Sequence, residues 1–417
     1  MQKKSFNTYE NKLLLLLFFT VGFVFFDRLS INFLFPFMRA EFELTNAKIG
    51  MLTSALAVTW AISGYALATW AEALNRRKPI LIVAVAVFSV CSIGSGLAGT
   101  FMVLLVARAV MGLAEGPVLP ISQSLMGFAS TESRRGFNMG FVQASAGGLL
   151  GAVLAPMIVV PLAEHFGWRV AFFVAGIPGL VIALLLARHV VEPKVFQRAA
   201  ASPDIAPSFI EMTGRRNIVL CLLVSCLFIT WFVALMTFTP LYLIEKRGFT
   251  PGEMGILMTL LGISSVVSGF VVPAMSDRIG RKPAMIIFSA VAVAVPLVLV
   301  YAEASLPLLG VLLFLTYFGY GCFPIFLATI PAETVGIAHA GRAIGLVIGV
   351  GEVAGGFFAP MIEGYAADRF GAQAPFLIAS AATFIAMLLS FALKETAPLK
   401  TRPAGISSTS VHDSIGA

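Results

Sequence analysis

Groups that do catalytic or metal chemistry are scarce in this chain. Of 417 residues, four are histidine, four are cysteine and 12% are charged. The histidines, His165, His189, His339 and His412, are spread over connections and the tail. They leave no His/Cys/Asp cluster for zinc and no nucleophile and base pair. Cys91, Cys221, Cys226 and Cys322 all lie inside apolar runs, where thiols behave as small hydrophobes; no disulfide framework is expected. Neither a metal nor a cofactor is expected, and an enzyme loses its best candidates. No stretch is polar enough and long enough to fold a soluble domain. The net charge of +7 therefore does not describe a nucleic-acid surface.

What the chain has is hydrocarbon. Apolar residues make up 59%, and runs long enough to cross a bilayer recur about twelve times. The first, Leu13 to Phe26, follows Lys3, Lys4 and Lys12 as a secretory signal would, but no small-residue cleavage site follows, so a spanning helix is expected. The expected architecture is all-α, with twelve transmembrane helices in the lipid bilayer. The basic residues test the topology. The termini and even-numbered connections hold 20 of the 28 Lys and Arg; the opposite side holds six, and Arg28 and Arg108 lie within spans. That bias expects both termini in the cytoplasm of a multi-pass protein of a bacterial inner membrane.

The longest connection carries Pro193, Pro203 and Pro207 and divides the spans six and six. It implies an N-terminal bundle over 1–189, a linker over 190–215, a C-terminal bundle over 216–396 and a tail over 397–417. The halves repeat each other. Gly136, Gly140 and Gly151 recur 205 residues later as Gly341, Gly345 and Gly356. Ala155-Pro156-Met157-Ile158 returns unchanged as Ala359-Pro360-Met361-Ile362, and Phe166-Gly167 as Phe370-Gly371, both 204 residues later. Two parallel six-helix repeats imply a site near the midplane between them, reached by rocking one half against the other. Helix packing alone accounts for the glycines.

Ser276-Asp277-Arg278-Ile279-Gly280-Arg281-Lys282-Pro283 resembles the D-R-x-G-R-K signature of the major facilitator superfamily. A worn copy stands at Glu72-Ala73-Leu74-Asn75-Arg76-Arg77-Lys78-Pro79, with Glu for Asp, Ala for Arg and Asn for Gly. The resemblance implies a gating role for Asp277, Arg278 and Arg281, and a weaker one for Glu72 and Arg76: the acid pairs with loop arginines in one conformation and releases them in the other. Phe26-Asp27-Arg28-Leu29-Ser30-Ile31-Asn32 is similar to the D-R-x-N/S pattern of the anion:cation symporter branch. Arg108-Ala109-Val110-Met111-Gly112-Leu113-Ala114-Glu115-Gly116 is similar to its R-x-x-x-G-x-x-E-G/A stretch. That branch carries organic acids, which implies a small organic anion as substrate and a proton, with sodium as the alternative, as the coupling ion.

A charge at the bilayer centre costs about 3 kcal/mol on insertion scales, so Asp27, Arg28, Arg108, Glu115 and Glu352 need partners or an aqueous cavity. Arg108 and Glu115 are two helical turns apart and share a face; Asp27 and Arg28 point about 100° apart. The expected scheme places Arg28 on a substrate carboxylate. Asp27 and Glu115 take up protons, and Arg108 pairs with whichever carboxylate is ionised. Glu352, among Gly349, Gly351, Gly355 and Gly356, is expected as a further coupling site, with a substrate-facing group of the second half as the alternative. Gln143, Ser145, Tyr65, Trp231 and Tyr320 are expected around the substrate; the position of Gln143 resembles a substrate-contacting glutamine of aldonate carriers. The rival reading, an exporter, would carry a G-x-x-x-G-P-x-x-G-G motif in the fifth helix, whereas Gly147-Gly148-Leu149-Leu150-Gly151-Ala152 lacks its proline. A solute receptor that binds without carrying is the alternative of another class. A monomer is expected.

Overall fold

A computed structural model describes residues 8–131, 134–142, 147–193, 214–336 and 340–401. All regular structure among them is helical. In chain order the membrane helices are α1 (Tyr9–Met38), α2 (Asn46–Ala73), α3 (Arg77–Gly96), α4 (Phe101–Ala129), α5 (Gly147–Phe166), α6 (Trp168–His189), α7 (Arg216–Glu245), α8 (Pro251–Ile279), α9 (Arg281–Tyr301), α10 (Leu306–Val335), α11 (Ala340–Phe370) and α12 (Ala374–Ser390). The first eleven are long and apolar enough to cross a membrane; α12 is shorter and equally apolar. Most of the expected linker, 194–213, and of the tail, 402–417, lies outside the described residues.

Local rules set the helix ends. Thr100 Oγ1 accepts the Val103 N–H to cap α4, and Thr250 with Glu253 forms a reciprocal capping box at α8. The repeat is visible in the backbone. Gly167 and Gly371, at matching positions, end α5 and α11 with φ of +86° and +100°, which an L side chain adopts only under strain. Both helices also carry a π-helical stretch at the matching place, Gly147–Leu154 and Glu352–Phe358.

The halves meet through α1, α2 and α5 against α7, α8 and α11. Small residues bring the backbones together: a Cβ on Gly50 would stand 2.1 Å from the Pro360 carbonyl oxygen, and one on Gly262 2.1 Å from that of Ala152. On the face away from the termini the seam is sealed. Arg39 Nη1 pairs with Glu245 Oε2 at 2.8 Å. Asp368, from the second half, accepts the backbone N–H groups of Asn46 and Ala47, each at 2.9 Å, and so caps α2. Nearer the middle, Ser54 Oγ donates to the Phe357 carbonyl at 2.6 Å.

On the face carrying the termini, bonds among the described residues stay within a half. Glu192 accepts the N–H groups of Arg77 and Lys78, and Glu395 those of Arg281 and Lys282, one carboxylate per repeat capping the same helix start. Among the described residues the seam is therefore bonded shut at one end only.

Candidate functional site between the halves

Helix α1 delivers Asp27 and Arg28 to opposite environments. Asp27 is fully buried and accepts a hydrogen bond from Ser92 Oγ on α3; its Oδ2 has no hydrogen-bond partner among the described residues. Arg28 faces the seam, where its Nη2 lies 3.6 Å from Glu352 Oε2 and its guanidinium sits 5.0 Å over the Trp60 ring. The pair joins the two halves at the centre.

Helix α4 supplies the rest. Arg108 and Glu115 are buried, at 1% and 0% exposure, and Gly112 between them lets α4 lie against the α2 backbone, its would-be Cβ 2.3 Å from the Leu56 carbonyl. Arg108 is held 3.4 Å from Met111 Sδ and 5.9 Å over the Phe172 ring, and it feels the charges of Asp27, Glu115 and Arg28. Its Nε and Nη2, and both oxygens of Glu115, have no hydrogen-bond partner among the described residues. A buried ion without a partner costs several kcal/mol, so among the described residues these side chains do not form a closed ion network. Its charges call for protons or a ligand.

Beside the cluster, a narrow cleft, partly open to solvent and with room for about 50 Å³ of water-sized contents, is lined by Arg28, Asn32, Leu52 and Arg108 from the first half and Phe232, Met236, Thr237 and Gly356 from the second. Arg28 and Arg108 thus face one cleft. The arrangement suits a small anion in a mostly apolar slot.

Other expected residues fall elsewhere. Trp231, expected around the substrate, is instead fully buried in its own bundle. Its Nε1 donates to the Ala292 carbonyl at 3.0 Å and its ring stacks on Tyr317, because an indole with a satisfied N–H packs well in a core. Tyr320 stands behind Phe232 in an aromatic stack, their ring centres 5.8 Å apart. Tyr65 is 79% exposed and does not line the cleft. Gln143 and Ser145 lie outside the described residues.

In the basic loop Asp277 pairs with Arg281 at 2.6 Å, and Arg281 also binds Glu333 at 2.8 Å. Both contacts are within the second half. Arg278 and Arg76 are exposed, and the Glu72 side chain is outside the described residues.

One buried acid escaped the sequence reading. Glu363 on α11 is fully buried, with both oxygens unpartnered among the described residues. The repeat could have exposed it, since the residue after the first Ala-Pro-Met-Ile is Val159, also fully buried, and the residue after the second is Glu363.

Two halves of six helices, joined at a charged central cleft and sealed at one end, fit a polytopic membrane transporter rather than an enzyme. The Major Facilitator Superfamily profile matches residues 17–272 and 220–412, and the chain belongs to that family. Among curated relatives it is 29% identical over 343 residues, covering 78% of this chain and 79% of the other, to the "Probable 4-methylmuconolactone transporter" of Cupriavidus pinatubonensis. It is 27% identical over 377 residues, covering 86% and 88%, to the "Cis,cis-muconate transport protein" of Acinetobacter baylyi. A "Gallate transporter" of Pseudomonas putida is 30% identical over 218 residues, covering 50% of this chain and 46% of the other, so several of these relatives are named for transport of organic acids. Among solved structures, the D-xylose-proton symporter superposes with a TM-score of 0.76 at 18% identity, covering 94% of this chain and 99% of that one, which shows the fold.

Proposed function

We propose that the chain imports a small organic anion, a sugar acid or an aromatic or dicarboxylic acid, by proton symport through alternating access. It would do so in a bacterial inner membrane, with both termini in the cytoplasm, as a monomer. The observation that carries this reading is the buried Asp27, Arg108 and Glu115 cluster, short of partners, beside Arg28 in the cleft between the halves. The organic-acid names of the relatives support the substrate class.

Charge compensation is the logic. With Asp27 and Glu115 protonated, Arg108 loses its counter-charges, and an anion on Arg28 restores neutrality in a site where an isolated charge is expensive. Arg28 binds the carboxylate through its fork of N–H donors. Gln143 and Ser145 contact the rest of the substrate, and Glu352 takes part in coupling. In the alternate conformation, Asp277, Arg278 and Arg281, with Glu72 and Arg76, gate the face that carries the termini.

Uptake by cells or proteoliposomes carrying Glu115→Gln tests the scheme. Concentrative uptake should fall at least tenfold and lose its dependence on the proton gradient. Active transport with unchanged coupling would make Glu115 structural and sink the mechanism. Asp27→Asn should keep exchange of labelled substrate while abolishing accumulation against a gradient.

A further inference from the structure

Glu352 has no counterpart in the motifs of the first half, yet it is the acid that touches Arg28. It opens the π-helical stretch of α11, and its carboxylate lies against Gly356, one turn further along the helix, at the seam. Gly356 makes room for it: a Cβ there would stand 2.6 Å from Glu352 Oε2 and 3.4 Å from the Ala57 Cβ. A side chain at 356 would force the Glu352 carboxylate to shift.

The pair is built to exchange. Its 3.6 Å separation is longer than a charge-assisted hydrogen bond, and the Arg28 and Glu352 side chains are 20% and 18% exposed, unlike the sealed Arg108. Trp60 covers one face of the guanidinium and leaves its edge to Glu352. A carboxylate arriving through the cleft and binding that edge with two short bonds has the better geometry.

We infer that Glu352 is a built-in competitor for the substrate carboxylate. In the empty carrier it occupies Arg28 and ties the halves together; an entering carboxylate displaces it, and the freed Glu352 anion then disfavours substrates with a second carboxylate. This rests on the reading of Arg28 as the anion site and narrows it to monocarboxylates. The physical reason is repulsion: a second carboxylate brought into the cleft meets the freed Glu352 anion in a partly shielded site, where like charges oppose each other more strongly than in water.

The test uses the full-length purified protein and three probes: gallate and glucuronate with one carboxylate, and cis,cis-muconate with two. Binding is measured by calorimetry for the wild type, Glu352→Gln and Gly356→Ala, the last displacing the carboxylate without removing it. The wild type should prefer a one-carboxylate probe. Glu352→Gln should tighten that probe about tenfold and muconate by more, and Gly356→Ala should move both in the same direction. Unchanged or weaker binding in Glu352→Gln, with the wild type binding normally, overturns the competitor alone. No binding of any probe to any form overturns the anion reading and the competitor with it. Without ligand, labels on the loops after α2 and α8 report the opening of the halves. Arg28→Gln, Glu352→Gln and the double variant should shift the distance equally, whereas additive shifts would show that the two residues do not act as one bond.

Discussion

At the scale of single residues, adjacent side chains on one helix do different work because the helix turns them apart. Asp27 enters a dry bundle interior and Arg28 a seam. Glu363 is the sharpest residue-level contrast, since its repeat mate Val159 fills the equivalent core position without a polar atom. Replacing a buried, unpartnered polar group by an apolar one removes its desolvation penalty, about 1–3 kcal/mol. We predict that Glu363→Val raises the melting temperature in detergent by several degrees; a lower one would show that the carboxyl is held by a contact. Glu395 gives a pH prediction. Partial burial opposes its charged form, but the N–H groups of Ala397, Arg281, Lys282 and Thr396 outweigh this and hold its carboxyl below the usual 4.5. A depressed folded value contributes stability above the unfolded value, lost as pH falls through the folded one. Glu395→Gln should therefore be less stable than the wild type at neutral pH, with the gap closing below about pH 4.5 in thermal unfolding scans.

At the scale of elements, α2 and α11 form the seal, and two devices hold them. Asp368 caps α2 from the opposite half, and Gly50 lets the backbones touch. Loss of an N-cap costs about 1 kcal/mol. Asp368→Ala should shift the carrier toward opening on the face away from the termini without unfolding it, seen as faster labelling of a cysteine placed near Ala47. Gly50→Ala should act more strongly, because its methyl would overlap the Pro360 carbonyl, and it should lower the transport rate at least tenfold. A Gly50→Ala protein that seals and transports normally would show that α2 and α11 separate at little expense. The sequence flagged the small residues of α5 and α11 but not Gly50 or Asp368. A contact between residues 322 positions apart leaves no local periodicity to read.

At the scale of the whole molecule, the proposed alternating access requires the sealed end to open. In a chain whose four cysteines are replaced by serine, Arg39→Cys with Glu245→Cys should abolish uptake when bridged by a short bifunctional thiol reagent. Uptake should return when a cleavable bridge is cut. Full activity in the bridged protein would mean that the halves do not part at that end. The two-bundle plan itself was legible, because membrane helices satisfy their own backbone and announce themselves as apolar runs. The duplication was legible because its glycines and its Ala-Pro-Met-Ile segments recur at nearly constant spacing.

Sequence alone determined the solvent, the helices, the repeat and the roster of intramembrane charges save Glu363, since each follows from composition or spacing along the chain. Tertiary structure decided how those charges are used. It joined Arg28 to Glu352, left Arg108 and Glu115 short of partners, put Trp231 into a core and left Tyr65 exposed. The reason is physical: hydrophobicity acts residue by residue, whereas ion pairing and burial depend on which helix faces arrive together at the seam.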